Sequence, residues 1–200
     1  MNRITLSGKV LDTPLQVHSY NKEVFYRFYI ESFRKSGRTD VLPCVIPESL
    51  MNRIELCKSV TLYGEVRTRN LHKDGKSHLE VYVKVKEVRD YCGRDINTVV
   101  MPVCFVCKQI GVSKTPKGEN IANVILASNR VEDKHSDYIP TIVWDDKAYA
   151  VSEYPIGTEL SVVGNLRSRI YSKKYDDGFV ELKTAYELSV TDLEVNEREE

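Results

Sequence analysis

The chain has 200 residues, enough for one large domain or two of about 100 each. Its 29 Lys and Arg balance 29 Asp and Glu, so no global basic charge marks it for nucleic acid. The sequence has no apolar run near the ~18 residues of a membrane span, no secretory h-region, and no nucleophile elbow, Walker loop or HExxH. The expectation is a cytoplasmic, non-enzymatic protein with no membrane partner.

Residues 2–12 alternate well enough for a strand, which Thr13-Pro14 ends. Residues 23–34 read as a second strand, and Lys35-Ser-Gly-Arg38 as a turn. Asp40 to Ile46 is a third, stopped by Pro47; that proline then opens a short helix running to about Leu56. Ser59 to Arg69 and Leu79 to Val88 are two more strands around the hairpin turn Asp74-Gly75. The same order recurs. Asn97 to Lys108 is a strand with a bulge or edge at Pro102. Ile121 to Arg130 and Asp137 to Trp144 follow, then a short helix from Asp146 to Tyr154. Glu159 to Tyr171 and Phe179 to about Leu188 flank a second turn, Asp177-Gly178.

The halves also match residue by residue. Phe28–Arg34 lies over Val124–Arg130, Asp40–Pro43 over Asp137–Pro140, and Gly64–Arg69 over Gly164–Arg169. A repeat of about 100 residues is a duplicated domain, too long a unit for a solenoid. The β-β-β-α-β-β order of each unit is that of an OB-fold, a small Greek-key barrel that commonly binds oligonucleotides. The expected fold class is therefore all-β: two tandem OB-fold modules, residues 1–95 and 96–193, each with one short helix, and an acidic tail at 194–200. Charge divides along the same line. Residues 1–95 carry 17 Lys and Arg against 12 Asp and Glu; residues 96–200 carry 12 against 17.

Side chains alternate faces along a strand. Tyr138 and Trp144, the sole tryptophan, therefore share one face of their strand, and Ile139, Thr141 and Val143 share the other. Arg167, Arg169 and Tyr171 likewise share a face, with the arginines about 7 Å apart, a spacing that suits successive phosphates of an extended single strand. Rings that stack bases beside cations that meet phosphates are what sequence-tolerant single-strand binding requires. Arg130, Lys173 and Lys174 extend the charged set. In the first half Arg67, Arg69, Tyr29, Phe33 and Arg3 are the corresponding candidates. Cys104-Phe-Val-Cys107 has CxxC spacing, but residues three apart on a strand face opposite ways. No metal or other cofactor is expected, and the five cysteines read as free thiols.

The second half resembles the bacterial single-stranded-DNA-binding protein family. The resemblance rests on Thr115–Arg130, Tyr138–Trp144, Gly164–Tyr171 and Asp177-Gly178 in this order, and on Asn2–Gly8 and Asp12–Pro14 in the first half. It implies that Tyr138, Trp144 and Tyr171 stack bases. It also implies a homodimer, since family members assemble with four OB-folds. The first module departs from the pattern, with Val41, Pro47 and Leu71 at the ring positions. Val103 replaces the glycine found at Gly8, so the first strand of the second module is expected to be reshaped. The short acidic C-terminus ends without an aromatic residue, unlike the tip through which the family recruits partners.

The function expected is binding of single-stranded DNA with little sequence preference, in replication, recombination, repair or a mobile-element setting. The alternatives are an OB-fold protein-interaction scaffold of a replication or conjugation complex without strong nucleic-acid binding, and an RNA binder.

Overall fold

A computed structural model describes residues 2–196, apart from Asn21, Asp74 and Asp177 and the side chains of Lys73 and Lys76. The C-terminal residues 197–200, most of the acidic tail, lie outside the described residues, as do the aspartates of both Asp-Gly turns.

The chain is mostly β. In the first half the strands are β1 (Arg3–Val10), β2 (Leu15–Tyr20), β3 (Glu23–Phe33), β4 (Thr39–Pro47), β5 (Ser59–Lys73) and β6 (Lys76–Asp90). In the second they are β7 (Asn97–Lys114), β8 (Asn120–Asn129), β9 (Ser136–Trp144), β10 (Glu159–Lys174) and β11 (Val180–Val195). One helix, α1 (Asp145–Glu153), follows β9; the matching segment after β4 is a 3-10 turn, Glu48–Arg53.

These strands pair as one continuous sheet that closes on itself twice. β1-β5-β6-β4-β3 returns to β1, and β7-β8-β9-β11-β10 returns to β7. Each ring contains one parallel pairing, β4 with β6 and β9 with β11, among otherwise antiparallel neighbours. β1 and β7 also pair antiparallel, Arg3 opposite Val100 through Leu6 opposite Asn97, and so join the rings along one seam. Inside lies a core of alternating β-branched and leucine side chains, such as Ile4, Leu6, Phe28 and Leu62 in the first ring and Leu126, Ile139, Val143 and Leu166 in the second. Ala148 and Val151 of α1 add to the second core, whereas no residue of the 3-10 turn is fully buried.

The structure departs from the sequence reading at β2 and at the end of β7, and has the bulge expected at Pro102. β2 is an additional strand on the edge of β3, exposed or half-exposed along its length, so no hydrophobic alternation announces it. β7 runs on to Lys114 rather than stopping at Lys108, bending through two register shifts against β8. Pro102 and Val103 together oppose Ser161, because Leu160 pairs with Cys104 and Val162 with Met101. This is a bulge that accommodates the missing glycine. At Gly8 itself a Cβ would lie 2.1 Å from the carbonyl oxygen of Glu31, so that stretch of β1 admits no side chain.

Candidate nucleic-acid interface

β9 alternates as its pattern predicts. Asp137, Ile139, Thr141 and Val143 point inward, and Tyr138, Pro140, Ile142 and Trp144 outward. The buried aspartate at its start organises the contact between the halves. Asp137 Oδ1 accepts the Thr68 N–H at 2.7 Å and Arg130 Nη2 at 2.8 Å; Oδ2 accepts Arg67 Nη1 at 2.9 Å and Arg130 Nε at 3.0 Å. The first half mirrors this. Asp40 Oδ1 accepts the Ser168 N–H at 2.8 Å and Arg34 Nη2 at 2.5 Å; Oδ2 accepts Arg34 Nε at 2.8 Å and Arg167 Nη1 at 2.9 Å. Each half therefore offers one aspartate that binds its own arginine and one arginine from the other half.

Burial pushes the Asp40 carboxyl up, but Arg34, the Ser168 N–H and Arg167 outweigh it and hold its pKa below the ordinary value. The hydrogen bonds to Asp137 raise the Arg130 pKa against the effect of burial.

These knots assign three of the expected phosphate ligands to the join between the halves. Arg67 is 4% exposed and fully engaged by Asp137 and Glu65. Arg130 is held by Asp137 and the Thr68 carbonyl. Arg167 is held by Asp40 and Asn165, but its side chain keeps 27% exposure and reaches the wall of a cleft.

That cleft, about 1070 Å³, opens between the halves. Trp144, Arg167, Arg169 and Tyr186 line it from the second half, and Tyr29, Arg34 and Arg38 from the first. The Trp144 Nε1–H donates to Ser189 Oγ at 2.9 Å, which anchors one edge of the indole in the cleft wall. Arg169 is 58% exposed; it pairs with Glu187 at 3.1 Å and lies 5.6 Å from the centre of the Tyr171 ring. Burial pushes the Tyr186 hydroxyl up to about 12, so it stays protonated as a donor. An apolar floor, flat rings and guanidinium groups facing one opening can take a stacked base and its phosphates together.

The remaining expected residues lie elsewhere. Tyr138 is exposed on the same outer face of β9 but outside the cleft, its N–H bonded to Thr68 Oγ1. Tyr171, Lys173 and Lys174 ride on the β10–β11 hairpin where it projects beyond the ring, with Lys173 5.0 Å from the Tyr175 ring centre. Phe33 is exposed at the end of β3, Arg69 pairs with Glu80 beside Tyr82, and Arg3 is exposed on β1. The sequence reading missed Arg34, Arg38, Tyr186 and both aspartates. Arg34 and Asp40 do recur as Arg130 and Asp137, and that shared pair was the available signal.

The fold is similar to that of the wild-type single-stranded DNA binding protein from Thermus aquaticus. The TM-score is 0.77 at 17% identity, covering 100% of this chain and 95% of that one. A deletion mutant of the same Thermus aquaticus protein gives a TM-score of 0.73 at 18% identity, with 100% and 96% covered. A comparison with curated proteins finds no match. Residues 96–195, half of the chain, match the model of the single-strand binding protein family, and the chain belongs to that family.

Proposed function

We propose that the chain is a tandem OB-fold protein, with modules at 1–95 and 96–193, that binds single-stranded DNA with little sequence preference in replication, recombination, repair or a mobile-element setting. The observation that carries this reading is the cleft between the halves, where Trp144, Tyr29 and Tyr186 stand beside Arg34, Arg38, Arg167 and Arg169. Bases stack on the rings and phosphates meet the cations, and since every base offers a flat face and every nucleotide a phosphate, such binding has little sequence preference. From the cleft the strand continues along the β10–β11 hairpin past Arg169, Tyr171, Lys173 and Lys174. Tyr138 marks a second stacking position on β9. A homodimer would bring four such modules together.

The test is a gel shift with a single-stranded oligo-dT at low salt, comparing the unaltered protein with Trp144→Ala and with Tyr138→Ala/Trp144→Ala. Loss of about 1–3 kcal/mol of binding in Trp144→Ala supports stacking in the cleft. Undiminished binding in the double variant refutes it. One observation favours a second reading, a protein-interaction scaffold: every arginine of the two knots is already paired with a carboxylate. Absence of any shift by the unaltered protein would favour that reading.

A further inference from the structure

The two aspartate knots relate the halves by an approximate twofold, with Asp40, Arg34, Arg167 and Ser168 corresponding to Asp137, Arg130, Arg67 and Thr68. The cleft around Trp144 therefore has a counterpart on the other side of the join. This second cleft, about 330 Å³, is lined by Arg67, Tyr82 and Lys84 of the first half and by Arg130, Glu132 and His135 of the second. It has flat rings of its own. Tyr82 lies on β6, Tyr20 of β2 is 68% exposed, and His18 stacks on Phe25 with ring centres 4.8 Å apart and planes 10° from parallel. His18 Nδ1 is buried with no hydrogen-bond partner among the described residues.

The two clefts differ in the loop that overhangs them. Over the first, the loop after β3 is basic, Lys35-Ser-Gly-Arg38; over the second, the loop after β8 is Val131-Glu-Asp-Lys-His135. Glu132 turns back onto the cations of the first half. Its carboxylate lies 2.9 Å from Lys84 Nζ and 3.7 Å from Arg67 Nη2, and its other oxygen pairs with Lys86. Glu65 pairs with Arg67 at 2.5 Å and lies 3.7 Å from Lys86 Nζ, so Glu132 is the more exposed of two carboxylates here, and it bridges Lys84 and Lys86 as a backbone phosphate would.

We propose that Glu132 is a built-in phosphate mimic, closing over a second single-strand path on the first half that opens when the DNA backbone displaces its carboxylate from Lys84 and Lys86. Without DNA the carboxylate stays on these lysines: hydrogen bonds from Lys86 and then Lys84 push the Glu132 carboxyl down to about 2, so it is charged throughout the physiological range. It is also displaceable, since the Glu132 side chain is 49% exposed. The inference rests on the reading of the first cleft as a single-strand site, and it explains how a half without the tryptophan still takes part.

The test measures oligo-dT binding against salt for the unaltered protein, Glu132→Gln, and Glu132→Gln/Lys84→Ala/Lys86→Ala, using a short oligonucleotide and one long enough to span both clefts. The expected result is tighter binding of the long oligonucleotide by Glu132→Gln. Its plot of log affinity against log salt should steepen by roughly 0.7 for each additional phosphate neutralised. The gain should be absent with the short oligonucleotide and abolished in the triple variant. Equal affinity and slope in Glu132→Gln and the unaltered protein, with Trp144→Ala still weakening both, overturns the mimic and leaves the first cleft standing. Binding by neither protein overturns both readings.

Discussion

A methyl group on Gly164 would lie 2.5 Å from the carbonyl oxygen of Ser189, and one on Gly64 would lie 2.2 Å from that of Lys84. Both glycines sit where β10 and β5 shift register against their hairpin partners, and there the strands approach too closely for any side chain. Gly164→Ala is expected to destabilise the protein by about 1–3 kcal/mol through the forced backbone shift, read as a lower denaturation midpoint at unchanged slope. The glycines were visible in the sequence as matching positions of the repeat. The fate of the arginines was not. Arg67 and Arg167 stand at equivalent points of a pattern that alternates as an exposed face should, and strand parity alone assigns them to solvent. Their partners, Asp137 and Asp40, lie 70 and 127 residues away in the chain. Periodicity carries no information about a carboxylate delivered by the other half.

Among the elements, β9 was legible because one face is core and the other is not, so its alternation survives folding intact. β2 was not, because it packs no face against the core and its burial carries no period. The β10–β11 hairpin falls between these cases. Its barrel portion alternates, whereas beyond Ser168 no described residue of the arm is buried, and Ile170 at 72% and Leu182 at 71% stand well out in solvent. An arm of this kind adds little to the core and is available to a ligand. Replacing Lys173 and Lys174 with alanine should leave thermal stability nearly unchanged, within about 0.5 kcal/mol. The same change should flatten the salt dependence of oligo-dT binding by roughly 0.7 for each phosphate that is no longer neutralised. An unaltered slope would remove the arm from the binding path.

At the scale of the molecule, the β1–β7 seam, the Asp40 knot and the Asp137 knot are among the ties between the rings. The duplication could be read from the sequence, and these ties could not, because they join positions that the repeat treats as independent. Asp40→Asn leaves two arginines facing a neutral group at a buried point, and should cost roughly 3 kcal/mol at neutral pH. The pH dependence follows from the lowered pKa of Asp40, which burial opposes and Arg34, the Ser168 N–H and Arg167 more than offset. A carboxylate depressed in the folded state stabilises it fully above the ordinary value of 3.8, and that stabilisation is lost as pH falls through the lower folded value. Acid denaturation curves of the unaltered protein should therefore lose stability below pH 3.8, and Asp40→Asn should lack that share of the loss.

The cleft gathers elements from both rings around a single indole, and Trp144 is the only tryptophan of the chain. Titrating its fluorescence with oligo-dT at low salt reads occupancy of the cleft directly. The expected result is saturable quenching that salt reverses. Binding detected by gel shift with the Trp144 emission unchanged would contradict it, placing the DNA somewhere other than the cleft.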